Sequence, residues 1–349
     1  MKFKTRVNKV RRSIMRSITK NIGSSYSEPK KGDIAVSEIK SVLIIRPNHR
    51  LGNQLLLTPL VQEVINTFEG CTIDLFVKGG VAHPVFENYT QINNIIKLPR
   101  KPFDNVFKYA KSWLSIKKQS YDLVINADRN SSSGKLLTQL AKAKIKVFGD
   151  IDESIKETYA DHEHISKYPV YNLRFYLTKL GLDKPEAEMP VLDIKLSDEE
   201  IANGKTILND IIKNNGKKTI CIYTNATGNK CYSEAWWENV YSRLLKEYPD
   251  YNIIEMLPIE NISKINFKAP HFYSQDIREM GAIIRNTSIF ISADNGVMHL
   301  ASASLVPVVG FFSRTNTKIY GSYGNDSVAL NTNETNIDDW FKAIGNILN

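Results

Sequence analysis

One stretch near the carboxyl end, residues 288–324, constrains the fold more than any other part of the chain. Its apolar run at 288–292 predicts a buried strand, and Asp294-Asn295-Gly296 predicts a turn whose residues are able to cap a helix beginning near Val297. Pro307 follows a run of small residues and opens a second apolar strand at 308–312. A strand, a helix and a second strand in this order predict a βαβ unit of a parallel sheet.

Residues that follow the strands of such a unit are candidates for ligand binding, because ligands of parallel sheets bind beyond the carboxyl ends of the strands. Asp294, His299 and residues 313–317 are expected at that edge. The N-terminus of the helix there offers unpaired N–H groups and a partial positive charge to a phosphate. The alternative is that Asp294 only caps the helix and His299 only packs. The first interpretation predicts a site for a nucleotide-linked substrate.

Strands and helices alternate along most of the chain, which predicts an α/β protein with two doubly wound parallel sheets. The polar stretch 150–169 is expected to be a loop across the cleft. Predicted strands are 42–46, 73–77, 95–98, 121–126 and 145–148 in the first half, and 219–224, 253–257, 288–292 and 308–312 in the second. Predicted helices are 55–68, 103–118, 171–180, 197–212, 234–248, 276–285, 297–304 and 336–348.

A length of 349 residues suits two domains of ordinary size. We predict a basic amphipathic arm and linker at 1–38, followed by an N-terminal Rossmann-like domain at 39–182. A C-terminal Rossmann-like domain follows at 183–334, and a last helix occupies 335–349.

The net charge of +9 lies almost wholly in the first twenty residues, which hold eight Lys or Arg and no acid, so nine minus eight leaves +1 for the remainder. A basic tail rather than a basic face argues against a nucleic-acid partner. Phe3, Val7, Val10, Ile14 and Ile18 recur with the period of one helical face. Residues 1–20 therefore predict either a helix that lies on an anionic membrane surface or a disordered arm.

The cysteines and the apolar runs indicate the cellular compartment of the protein. Cys71, Cys221 and Cys231 are odd in number and have no paired spacing, which favours a reducing compartment. No apolar run approaches the ~18 residues of a membrane span, and no secretory apolar region follows the basic start. The chain is predicted to be cytoplasmic.

Three segments of the chain resemble motifs of the heptosyltransferase family, glycosyltransferase family nine. Residues 294–303, DNGVMHLASA, with 307–313, PVVGFFS, are similar to its donor-site pattern, although Asn295 replaces a hydroxyl residue. Residues 46–59, RPNHRLGNQLLLTP, resemble its opening motif with one extra residue before the glycine. Residues 226–237, ATGNKCYSEAWW, resemble its lysine and tryptophan motif, with Tyr232-Ser233 in place of Trp-Pro. The three occur in the family's order over about 42–324.

The resemblance implies the GT-B architecture, in which an N-terminal acceptor domain and a C-terminal donor domain flank an interdomain cleft. It implies an inverting glycosyltransferase that needs neither metal nor cofactor and moves a heptose or related sugar from a nucleotide diphosphate, with ADP-heptose favoured as donor. The implied acceptor is a lipopolysaccharide-type glycolipid or saccharide. The enzyme would then be peripheral on the inner face of a bacterial cell membrane, where the basic arm would hold it close to its lipid acceptor.

The donor side of the predicted site combines a cation with a helix N-terminus. Lys230 is expected to meet a phosphate as a mobile point charge, the alternative being a solvated loop lysine. Thr224 and Asn225 on the same loop would add neutral hydrogen bonds. The resemblance places Asp294, Asn295, Gly296 and His299 at the donor by their positions in the motif.

The general base is where the chain departs from the family. Asn53 stands at the position of the aspartate that the family uses to deprotonate the acceptor, and an amide does not accept a proton at neutral pH. Asp128, after the strand at 121–126, and His49, near Asn53, are the candidate bases, unless both are ordinary loop residues.

Two rival interpretations remain open. Asn53 is compatible with a catalytically weakened, nucleotide-sugar or carbohydrate-binding member of the same fold. A dehydrogenase is disfavoured because no Gly-x-Gly-x-x-Gly follows the first strand.

The run Asp161-His162-Glu163-His164 lacks the spacing of a metal site.

Overall fold

The structure, a computed structural model, describes residues 35–98, 116, 118–181, 187–212 and 216–349. The predicted basic arm at 1–20 lies outside these residues. Most of the predicted helix at 103–118 also lies outside them, so neither prediction is tested by the fold.

The first sheet has five parallel strands in the order β3-β2-β1-β4-β5. Its central strand is buried along almost its whole length, with Val42 paired to Ile73 on one side and to Leu123 on the other. A strand covered on both faces reads as a continuous apolar run, which is why the sequence predicts it well. The strands are β1 (Ser41–Arg46), β2 (Thr72–Lys78), β3 (Ile92–Leu98), β4 (Ser120–Asn126) and β5 (Lys142–Val147).

Six described helices accompany this sheet. Pro59 lies in the first turn of the second helix, where its missing N–H costs nothing. The helices are α1 (Leu51–Leu55), α2 (Thr58–Thr67), α3 (Ala82–Phe86), α4 (Ser132–Leu140), α5 (Glu153–Thr158) and α6 (Tyr168–Lys179).

The second sheet has six parallel strands in the order β11-β10-β9-β6-β7-β8. Its strands are β6 (Thr219–Tyr223), β7 (Asn252–Met256), β8 (His271–Phe272), β9 (Ile289–Ala293), β10 (Val308–Phe312) and β11 (Val328–Asn331). Its helices are α7 (Asp198–Ile211), α8 (Glu234–Glu247), α9 (Ile277–Arg285), α10 (Gly296–Ala303), α11 (Thr317–Tyr320) and α12 (Ile337–Leu348). The predicted pair of doubly wound parallel sheets is confirmed.

The two sheets share one continuous set of buried side chains. This set runs from the helices of the first sheet through Leu192 and Ile194 of the connecting segment to α9 and α10. A separate cluster covers the other face of the second sheet, where Trp340 of α12 lies 5.2 Å from Phe311 between ring centroids. The last helix therefore packs on the second domain.

The carboxyl edges of both sheets face each other because α1, which follows β1, packs directly against α10, which follows β9. A Cβ atom built on Gly296 would lie 3.3 Å from the backbone nitrogen of Gly52. Glycine at both positions allows this approach of two backbones. Ligand-binding edges that meet in this way form the predicted interdomain cleft.

Two features differ from the sequence-based expectations. The stretch 150–169, predicted as a loop, contains α5 and the start of α6, although within α5 only Ile155 is buried. The short elements α3, α11, β8 and β11 were not predicted.

No helix in the described part of the chain is both long and apolar enough to cross a membrane. Cys71 and Cys221 are buried free thiols, and Cys231 is a half-buried one.

Candidate active site

Lys230 and Asp294 form an ion pair at the carboxyl edge of the second sheet. Lys230 ends a short 3₁₀ turn, Gly228–Lys230, after β6, and Asp294 directly follows the neighbouring parallel strand β9. The ammonium nitrogen lies 2.6 Å from Asp294 Oδ2, with the aspartate side chain 6% exposed and the lysine 30%. Thr315 also donates its hydroxyl to Asp294 Oδ2. The predicted juxtaposition of the lysine and the helix N-terminus behind Asp294 is present in the fold.

Asn295 organises the loops around this pair. Its Oδ1 accepts from the backbone N–H groups of Val297 and Met298, at 2.8 and 2.9 Å, so the amide caps α10. Its Nδ2 lies 3.1 Å from the carbonyl oxygen of Asn225 and 2.6 Å from Ser292 Oγ. The asparagine that replaces the expected hydroxyl residue therefore ties the loop after β6 to the loop after β9.

Thr224 and Asn225 enter the site in different ways. The Thr224 hydroxyl is buried and donates to Glu255 Oε1 at 2.5 Å, so it is engaged within the protein instead of facing Lys230. Ser263 donates to the other oxygen of Glu255 at 2.6 Å, and burial raises the pKa of this carboxyl. Asn225 contributes its backbone carbonyl to Asn295, and its Oδ1 lies 3.5 Å from Cys231 Sγ beside Lys230.

His299 lies one turn along α10 and is buried against the first domain. A Cβ atom on Gly52 would come within 2.8 Å of its Cδ2 atom, so the ring fills the space that Gly52 leaves. Burial lowers the pKa of His299 to about 4, against the opposing attraction of Asp294. The ring is therefore neutral at pH 7. Its Nδ1 has no hydrogen-bond partner within the described chain.

Arg46, at the end of β1, connects Asn53 to the backbone at the end of β4. Its Nη2 donates to Asn53 Oδ1 at 3.1 Å, and its Nη1 donates to the carbonyl oxygen of Ala127 at 3.3 Å. The hydroxyl of Tyr168 donates to the same carbonyl at 2.9 Å. Arg46 is 1% exposed, and no carboxylate forms an ion pair with it among the residues that the structure describes.

Asp128 follows Ala127 directly and is therefore next to this network. Its Oδ1 accepts from the Asn130 backbone N–H at 3.1 Å, and its side chain is half-buried. His49 lies half-buried in the loop between β1 and α1, near Asn53 in sequence. The fold thus joins Asn53, through Arg46, to the carbonyl of Ala127, the residue before Asp128.

Sequence reasoning missed three participants. The sequence identifies Arg46 only as the start of a motif, and Tyr168 lies in the stretch predicted as a loop. Thr315 was expected at the sheet edge, but not as a partner of Asp294. Contacts across 21 to 81 residues of chain, such as Thr315 to Asp294 and Arg46 to Ala127, leave no periodic signal in the sequence.

Two side chains of the run 161–164 contact other groups of the protein. Asp161 pairs with Lys167 at 2.6 Å, and His164 Nε2 lies 2.8 Å from the carbonyl oxygen of Gly321. In the described ranges no three His, Cys, Asp or Glu side chains converge as a metal site would require.

Comparison with known families identifies the carboxyl-terminal part of the site. Residues 274–342 match the model of glycosyltransferase family 9 (heptosyltransferase), a range that includes Asp294 to Ala303. No curated protein matches the chain by sequence. The match confirms the resemblance at the donor-site motif, the last of the three motif segments.

Solved structures of the same fold cover most of the chain. A glycosyltransferase family 9 protein from Veillonella parvula DSM 2008 superposes with a TM-score of 0.70 at 15% identity, covering 90% of this chain and 98% of its own. E. coli ADP-heptose LPS heptosyltransferase II superposes with a TM-score of 0.62 at 14% identity, covering 88% of this chain and 98% of its own. E. coli heptosyltransferase WaaC with ADP superposes with a TM-score of 0.59 at 16% identity, covering 83% of this chain and 92% of its own. The GT-B fold is confirmed.

Proposed function

We propose, from the family pattern carried by residues 274–342, that this chain is an inverting glycosyltransferase. It transfers a heptose or related sugar from a nucleotide diphosphate to a glycolipid or saccharide acceptor. One observation carries the proposal: the 2.6 Å pair of Lys230 and Asp294 lies beside the N-terminus of α10, where the carboxyl edges of both sheets meet.

The chemistry of the donor explains why these groups belong together. Cleaving the bond between an anomeric carbon and a diphosphate requires positive groups that stabilise the departing charge. Lys230 provides a mobile ammonium, and the N-terminus of α10 provides a partial positive charge. A bound diphosphate would take Lys230 from Asp294, and the freed carboxylate would accept hydrogen bonds from the sugar hydroxyls.

We propose ADP-heptose as the donor, because one of the solved relatives is named for ADP-heptose and another contains ADP. In this proposal the acceptor domain spans residues 39–182 and the donor domain spans residues 183–334, as predicted from the sequence. Within the donor domain, Asn225, Asn295 and Gly296 position the loops around the diphosphate, and His299 packs the cleft as a neutral ring. Thr224 supports the loop from behind through Glu255.

Asp128 is proposed as the general base in place of Asn53. It is half-buried at the carboxyl edge of the first sheet, next to the carbonyl that Arg46 and Tyr168 bind. His49 is the second candidate. Asp128→Asn should lower kcat by about 100-fold or more with little change in KM, whereas His49→Gln should not. The reverse pattern would assign the base to His49.

The donor proposal is tested by screening nucleotides and nucleotide sugars for thermal stabilisation, followed by transfer assays. ADP-heptose should raise the unfolding temperature of the wild type, and Lys230→Ala should abolish that shift. Lys268→Ala is the matched control, because Lys268 is paired with Glu238 on the same domain at 2.6 Å. Equal stabilisation of all three proteins would overturn the donor site.

The weakened, binding-only alternative has its own supporting observation. The Asn53 amide accepts from Arg46 and has no proton-accepting group to offer a hydroxyl. Wild-type protein that binds the nucleotide sugar but gives no transfer to any glycolipid or saccharide acceptor would favour this alternative.

We also propose that the enzyme is located on the inner face of a bacterial cell membrane. It depends on residues 1–20, which lie outside the described residues and carry eight positive charges without an acid. Deleting them should abolish binding to anionic vesicles at low salt. Unchanged vesicle binding would remove the membrane from the proposal.

A further inference from the structure

The first domain contains a cavity that is separate from the Lys230 and Asp294 pair. Its volume is about 460 Å³, within the range of small-molecule sites. It lies between α2, α5 and α6, and its wall is completed by residues 187, 188 and 190 of the segment that connects the domains. None of the residues proposed for the donor or the base lines it.

Two charged side chains of the cavity, Arg174 and Glu63, neutralise each other. Arg174 of α6 forms two parallel bonds to Glu63 of α2, with Nε to Oε1 and Nη2 to Oε2 both at 2.8 Å. Each carboxylate oxygen of Glu63 retains a second lone pair able to accept a hydrogen bond. Glu188 adds a further carboxylate at the exposed side. Among the lining residues that the structure describes, Arg174 carries the only guanidinium and is already paired, so a phosphate or carboxylate ligand would be repelled by the carboxylates.

The hydroxyl groups of the lining are also acceptors. Thr158 donates to the Ser154 carbonyl at 2.7 Å, and Thr178 donates to the Arg174 carbonyl at 3.2 Å. Ser154 donates to Asp152 Oδ1 at 2.7 Å. Each of these three hydroxyls has therefore used its single hydrogen within the protein and keeps lone pairs that can accept a hydrogen bond. The ligand that fits such a wall must bring many donors and no negative charge.

Aromatic rings supply the apolar part of the lining. Tyr159 and Tyr171 stack with their ring centroids 3.9 Å apart, and Phe175 lines the same cavity. A pyranose combines O–H donors around its rim with C–H groups on its faces, so it matches both kinds of surface. We propose that this cavity binds a neutral saccharide unit.

The cavity also has a direct connection to the domain junction. Arg174 donates to the carbonyl oxygens of Ala187 at 2.8 Å and Glu188 at 3.1 Å, so the cavity wall and the connecting segment are held together. Pro190 lines the cavity, and its carbonyl accepts from Tyr323 of the second domain at 2.8 Å. The saccharide is either a distal sugar of the acceptor or a free saccharide, and in both cases it contacts the segment that joins the domains.

Ligand-detected NMR with the full-length protein tests the proposal. The probes are D-galactose, N-acetyl-D-glucosamine and lactose at up to about 50 mM, with D-glucose 6-phosphate as the anionic comparison. At least one neutral sugar should bind with a Kd of about 1–10 mM, and the phosphate ester should bind more weakly. Thr178→Phe, an exposed rim position that the larger ring would fill, and Tyr159→Ala should each weaken binding about fivefold or more.

Two control variants separate this inference from the proposed function. Lys230→Ala should lose ADP binding and keep saccharide binding, and Tyr273→Ala, an exposed tyrosine of the second domain, should keep both. Retained ADP binding by Thr178→Phe and Tyr159→Ala shows that these variants are folded. No signal from any of the three sugars, or binding that neither cavity variant weakens, overturns the proposal.

Acceptor kinetics then identify the source of the saccharide. A distal acceptor sugar predicts that Thr178→Phe raises the KM for an oligosaccharide acceptor and leaves the KM for a short acceptor unchanged. A free saccharide predicts that neither KM changes although saccharide binding is lost.

Discussion

At the scale of single residues, His299 makes the stability of the fold depend on pH. The folded protein keeps the ring neutral because burial lowers its pKa to about 4, whereas the unfolded chain takes up a proton below about pH 6.5. The unfolded state therefore binds more protons between these values, and stability falls as the pH drops from 6.5 toward 4. At pH 5 the loss from this residue is roughly 2 kcal/mol relative to pH 7.

The measurement is urea unfolding of the wild type and His299→Gln at pH 7 and pH 5. The glutamine variant should lose about 2 kcal/mol less than the wild type over this interval. His271→Gln, at an exposed position on β8, is the control variant. An identical pH dependence in all three proteins would show that the ring is not held neutral by the fold.

At the scale of secondary-structure elements, the contact of α1 with α10 depends on Gly52. A Cβ atom there would lie 2.8 Å from His299 Cδ2 and 3.4 Å from Gly296 Cα, and neither neighbour is the end of a flexible side chain. Gly52→Ala should destabilise the protein by roughly 1–3 kcal/mol and weaken ADP binding, because the helices must separate. Gly80→Ala, whose Cβ would meet nothing within 4 Å, should leave the unfolding midpoint unchanged or slightly higher.

The elements also show what the sequence predicts and what it leaves out. Strands β1, β6, β9 and β10 are buried on both faces and read as apolar runs. The two residues of β8 and the five of α3 are too short to carry a period. Part of the site is also predictable from the sequence, because Lys230 and Asp294 belong to motifs that follow predicted strands. The bonds of Arg46 to Asn53 and Ala127 depend on tertiary packing that no local pattern encodes.

At the scale of the whole molecule, Arg278 of α9 fixes the second domain to the first. Its Nη1 donates to the carbonyl oxygen of Pro84 in α3 at 2.9 Å and to that of Ile194 in the connecting segment at 3.1 Å. Its Nε and Nη2 bind the carboxylate of Glu200 in α7, which lowers the pKa of Glu200 to about 2. One guanidinium, 6% exposed, thus joins three parts of the chain.

Arg278→Lys keeps the charge but loses the planar set of donors that reaches both domains at once, since an ammonium cannot bind all these acceptors together. We expect a loss of roughly 2 kcal/mol in the free energy of unfolding, and a larger radius of gyration in small-angle X-ray scattering. ADP should also bind less tightly, because the donor edge of the second sheet depends on its contact with α1. Arg243→Lys is the matched control, since Arg243 pairs with Glu247 and Asp338 within the second domain. If Arg278→Lys unfolds and scatters like the wild type, the α1–α10 contact and the shared core hold the two domains together without this guanidinium.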